Sequence, residues 1–125
     1  MDEMKWTALE AGRRIRAHEI GVEELTKACL DEIKKTNDTY HSFITICEQE
    51  AMAQAKKVQK GIDDGTLTSP LAGVPMAVKD NMCTKGIETT CASKILTGFR
   101  PFYSSTAVHR LEEAGAVILG KLNMD

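Results

Sequence analysis

Apolar residues recur at three and four positions over two stretches of the chain, and each stripe predicts a helix. Val22, Leu25, Cys29 and Ile33 share one face of a helix over 22–36, with Gly21 as N-cap, Glu23 and Glu24 in its first turn, and Lys34 and Lys35 in its last. Ala51, Ala55, Val58 and Ile62 form the stripe of a second helix over 48–62, whose small residues allow close packing. A shorter helix is expected from Met4 to about Ala17, with Leu9 and Ile15 as apolar contacts and Arg13, Arg14 and Arg16 on its polar side. Between the two striped helices, Phe43 to Cys47 is a β-prone run that predicts a strand over 43–47. The turn-rich segment from Gly61 to Pro70 then separates a mainly helical part, 1–65, from the remainder.

From Pro70 onward the pattern reads strand, loop, helix, strand. Leu71, Val74, Met76 and Val78 give a short β-type run that predicts a strand over 74–79, closed by the polar cluster Lys79, Asp80 and Asn81. Thr84 to Gly98 is polar and without sustained period, so a long loop holding at most a brief strand is expected. Ser104 stands where an N-cap belongs, Ala107, Val108, Leu111 and Ala114 supply a helical face, and Gly115 provides a stop, giving a helix over 104–115. Ala116 to Leu119 follows as a continuous apolar run, the mark of a strand covered on both faces, here expected over 117–121. This alternation predicts βαβ units with right-handed crossovers in an α/β fold.

Composition narrows the function classes. At 125 residues with 42% hydrophobic content the chain amounts to one domain at most, of a size that buries roughly two-thirds of its unfolded surface. Sixteen basic and 18 acidic residues give a net charge of −2, which carries no footprint for nucleic acid or an anionic membrane. Cys29, Cys47, Cys83 and Cys91 make no CxxC pair and have no zinc-type histidine pattern beside them, so reduced cysteines and a cytoplasmic location are expected. The first residues hold no apolar run of signal-peptide or membrane-anchor length.

Candidate chemistry reduces to one side chain. The chain has no GxGxxG, no phosphate-binding GxxxxGK, no HExxH and no GxSxG, and His18, His41 and His109 stand alone, so no metal or cofactor site is expected. Lys79 closes an apolar strand together with Asp80 and Asn81, and ligands of open α/β sheets bind beyond the carboxyl ends of strands. Lys85 and Lys121 are expected to be ordinary solvated lysines. Spacing alone supports an α/β domain with one candidate group.

The runs PLAGVPMAVKDN, TKGIETTCASKIL and STAVHRLEEAGAVILGKLNMD resemble the first part of the amidase signature family, with looser likeness over ELTKACLDEIKKTND and HSFITICEQEAMAQAK. The resemblance implies an α/β/α sandwich with a mixed sheet and amino-terminal helices packed outside it. It also implies a Ser-cisSer-Lys triad in which Lys79, kept neutral, draws a proton through the middle serine from the nucleophilic serine. The densest likeness is to the branch that hydrolyses glutamine to convert Glu-tRNA(Gln) to Gln-tRNA(Gln). There the ammonia passes to B and C partner subunits of a heterotrimer, and ATP and Mg are used by a partner subunit. The family's serines follow the GKLNMD segment, so the resemblance implies an amino-terminal fragment that is inactive alone. A stand-alone amidase and a non-catalytic interaction module are the alternatives.

Overall fold

The computed structural model describes residues 2–124. Helix α1 (Ala8–Arg16) follows a short 3-10 helix, Asp2–Lys5. The first predicted helix is thus broken, because the Thr7 hydroxyl accepts from Glu10 N at 3.1 Å and caps a new start. Helix α2 (Val22–Tyr40) begins at Gly21 as expected, and Gln59 of helix α3 (Glu48–Asp63) supplies the missing cap, its Oε1 accepting from Val22 N at 2.9 Å. One side chain thereby joins two helices.

Helix α2 runs past 36. The Asn37 side chain pairs with both backbone groups of Phe43, Nδ2 donating to its carbonyl at 3.1 Å and Oδ1 accepting from its N–H at 2.8 Å. Asn37 is therefore satisfied inside the helix and does not turn the chain, which moves Lys34 and Lys35 out of the last turn. Strand β1 (Phe43–Ile46) starts directly from this tether.

Strand β2 (Pro75–Lys79) and strand β3 (Val117–Leu122) are joined through helix α4 (Thr106–Glu113) and pair in parallel, which is the expected βαβ unit. Strand β1 pairs antiparallel with the other edge of β3, so β1-α3-β2 is not the second βαβ unit that the alternation predicts, and the sheet is mixed and ordered β1-β3-β2. Central β3 is the most deeply buried element, as its apolar run predicted. Val117 and Leu119 face a core of Ile15, Val22, Leu25, Leu30 and Val58 from the helical layer. Ile118 faces the other way, into a smaller cluster with Val78 and Val108.

Helix α4 is capped by Ser105, whose hydroxyl accepts from Val108 N at 3.3 Å, and not by Ser104. Ser104 instead accepts from Lys85 N at 3.0 Å and ties the long loop to the start of α4. At its other end, Ala116 N donates to Leu111 O and Gly115 N to Glu112 O, with Gly115 at φ +91°. This paired closure needs a left-handed residue and glycine is the one that adopts it freely. The long loop expected between β2 and α4 contains a 3-10 helix, Lys94–Leu96, and no strand among its described residues.

Candidate active site

Lys79 ends β2, half-buried and opposite Leu122 in the ladder. Strand alternation sets it on the face of the sheet opposite Val78. The chain turns at once, with Met82 N donating to Lys79 O at 3.0 Å. The structure thus puts the one predicted site residue at a carboxyl strand end, where the pattern placed it.

Next to it lies a buried polar cluster that periodicity does not reveal. Asp80 and Lys121 are both fully buried, and Lys121 Nζ stands 3.4 Å from Asp80 Oδ1. The ammonium also donates to Met82 O and to Thr89 Oγ1, each at 2.9 Å. The other carboxylate oxygen, Oδ2, accepts from Thr90 Oγ1 at 2.6 Å and from Thr90 N at 3.0 Å. Burial pushes the Asp80 carboxyl up, but the Thr90 hydrogen bonds and the Lys121 charge together outweigh it and hold Asp80 below its ordinary value. Lys121 is therefore not a solvated lysine, which corrects the expectation for it. Lys85, by contrast, is exposed as expected.

A slip in the ladder explains how a lysine enters the interior here. Between the pairs Met76↔Ile118 and Val78↔Lys121, β2 advances two residues while β3 advances three. The extra residue breaks the alternation, so Lys121 joins Ile118, Met76 and Val78 on one face and leaves the side of Val117 and Leu119. Gly120 makes this possible, because a Cβ there would lie 2.3 Å from Thr45 O and 2.8 Å from the Phe43 ring. A lysine inside the apolar run AVILGKL was the signal available in the sequence, together with an aspartate directly following another strand.

The long loop is tightly held. Thr89 N donates to Phe99 O, Gly86 N to Pro101 O, Cys91 N to Asp80 O and Ser105 N to Cys83 O. At its inner bend Ser93 N donates to Thr90 O at 2.8 Å across Cys91 and Ala92, at φ +54° and +59°. Positive φ at both central positions is the mark of a primed turn, and for residues with a Cβ it costs about 1–2 kcal/mol each. That strain sits beside Asp80 and is sustained by the surrounding hydrogen bonds. The turn borders an open cleft of about 260 Å³ lined in part by Ile44, Thr90, Ala92, Ser93 and Asn123.

Other candidate chemistry is not assembled. Burial raises the Cys29 and Cys47 thiols to about 11, which keeps them protonated and unreactive. Among the described residues no three His, Cys, Asp or Glu side chains group closely enough to hold a metal ion, and no helix is long and apolar enough to cross a membrane.

The Amidase family model matches residues 24–125, and the chain belongs to that family. The relatives it resembles are more particular. Over its whole length it is 52% identical to the A subunit of the glutamyl-tRNA(Gln) amidotransferase of Lachnoclostridium phytofermentans and 54% identical to that of Agathobacter rectalis. It spans about a quarter of these relatives, 26% and 25% of their lengths. The peptide amidase PAM, solved with the competitive inhibitor chymostatin, superposes with a TM-score of 0.93 at 31% identity, covering 99% of this chain and 26% of that one.

Proposed function

We propose that residues 1–125 are part of a single amidase domain in the glutamine-hydrolysing subunit of a Glu-tRNA(Gln) amidotransferase. The observation that carries this reading is the identity to the amidotransferase relatives, 52% and 54% over the full chain, against 31% to the peptide amidase. In the proposed reaction Lys79 is the base of a Ser-cisSer-Lys triad whose two serines are contributed from outside these residues. Lys79 accepts a proton relayed by the middle serine as the other serine attacks the glutamine carboxamide. Ammonia leaves, and water hydrolyses the acyl-serine ester to glutamate. B and C partner subunits receive the ammonia, and ATP and Mg are used on the partner side, in the cytoplasm. Nothing in residues 1–125 is assigned to either cofactor.

The peptide amidase superposition favours a second reading, a stand-alone amide hydrolase on the same scaffold. One experiment separates them. A chimera in which this chain replaces the matching quarter of the L. phytofermentans protein, assembled with that enzyme's partners, is assayed for ammonia release from glutamine and from a carboxy-terminal peptide amide. Release from glutamine, coupled to amidation of Glu-tRNA(Gln), supports the amidotransferase reading. Release from the peptide amide alone supports the second, and release from neither overturns both.

A further inference from the structure

We propose that Lys121 and Asp80 form a positioning device for Lys79, an inference that rests on the functional reading above. Residue 80 is hydrogen-bonded through its N–H, its carbonyl and one carboxylate oxygen, while the other, Oδ1, meets Lys121 only as an ion pair at 3.4 Å. Its N–H donates to Leu122 O at 2.9 Å and its carbonyl accepts from Cys91 N at 3.1 Å. Its carboxylate spans Thr90 on one oxygen and the Lys121 ammonium on the other. The backbone on the carboxyl side of Lys79 is thereby locked to β3 and to the strained turn at Cys91 and Ala92.

Lys121 does more than neutralise Asp80. It donates to Met82 O and Thr89 Oγ1, which brings both arms of the loop, 80–82 and 89–90, to one point on the central strand. The bulge before it, with Gly120 at close approach to Thr45, sets the ammonium at that point. A sheet that needed only stability at this position would be served as well by an apolar residue, because a buried ion pair is often replaceable by apolar groups without loss. What an apolar residue cannot do is hold two loop arms and the residue after Lys79 in a fixed geometry. A base must lie within hydrogen-bond reach of the proton it takes, and a displacement of about 1 Å can cost about 100-fold in rate.

The test uses the chimera described above with Lys121→Met, the double variant Asp80→Asn/Lys121→Met, and Lys79→Ala as reference. Each is measured for glutaminase kcat, KM for glutamine and thermal unfolding. Lys121→Met strands a buried carboxylate and lowers both stability and kcat. The double variant removes both charges, so its melting temperature returns towards that of the parent chimera. In the positioning role its kcat nonetheless stays down by about 100-fold with KM within about twofold, since the tie to the loop is still missing. A double variant whose kcat recovers together with its stability overturns the proposal, as does a Lys121→Met chimera with parental kcat. A Lys79→Ala chimera that keeps its activity, or a parent chimera that releases no ammonia, overturns the functional reading and takes the positioning role with it.

Discussion

Two sets of ion pairs in this chain invert the usual link between closeness and consequence. On α1, Glu10 holds Arg14 at 2.7 Å and Arg13 at 3.0 Å, and both arginines reach Glu19 at 3.6 Å. Inside the sheet, Lys121 and Asp80 stand 3.4 Å apart. The two Glu10 contacts at the surface are shorter than the buried one, and the Arg13 and Arg14 hydrogen bonds lower the Glu10 carboxyl to about 2. Yet solvent screens them and either partner can be rehydrated when the other is lost. Lys121 and Asp80 have no such recourse, because each is fully buried. What matters is the state left behind when one partner goes.

The sharpest way to break that comparison is to remove one buried partner. Asp80→Asn or Lys121→Met alone should destabilise the chimeric protein by about 3–5 kcal/mol in denaturant unfolding, the range for stranding a buried charge. A loss as small as that of a surface pair would erase the distinction. Next in size, Gly120→Ala presses a methyl against Thr45 O and the Phe43 ring. Overpacking of this kind costs about 1–3 kcal/mol, and it acts on the bulge that delivers Lys121 to the interior. The acid limb gives a smaller effect. Asp80 is held below its ordinary value of 3.8, so its ionised form adds stability above that value that is lost as pH falls through the lower folded value. The stability gap between the parent and Asp80→Asn should therefore narrow from about pH 7 to about pH 3. Smallest of all, Glu10→Gln should leave the unfolding midpoint unchanged within error despite its 2.7 Å contact.

Much of this arrangement was legible in the sequence, and what was hidden had local causes. The helical stripes of α2 and α3, the apolar run of β3 and the position of Lys79 at a strand end all follow from periodicity. The end of α2 was misplaced because Asn37 looks like a turn residue until Phe43 satisfies it across the turn. Ser104 and Ser105 are indistinguishable as caps by pattern, and their partners separate them, Val108 N for Ser105 and Lys85 N for Ser104. The antiparallel pairing of β1 with β3 is long-range and leaves no mark on either segment's own sequence. Lys121 was hidden most deeply. A bulge changes which face a residue occupies, and alternation read along a strand assumes that none is present.

Lys79 at the carboxyl end of β2 is the claim on which the functional account stands. Its most direct measurement is the glutaminase rate of the chimera carrying Lys79→Ala beside one carrying Lys85→Ala, with circular dichroism to confirm that both fold. Members of a catalytic triad act as a unit, so Lys79→Ala should lower turnover by about three orders of magnitude or more with the fold intact. Lys85 is exposed and outside the proposed triad, and its substitution should leave the rate close to that of the parent chimera. Equal losses at both lysines, or retained turnover in Lys79→Ala, would contradict the assignment of Lys79 as the base.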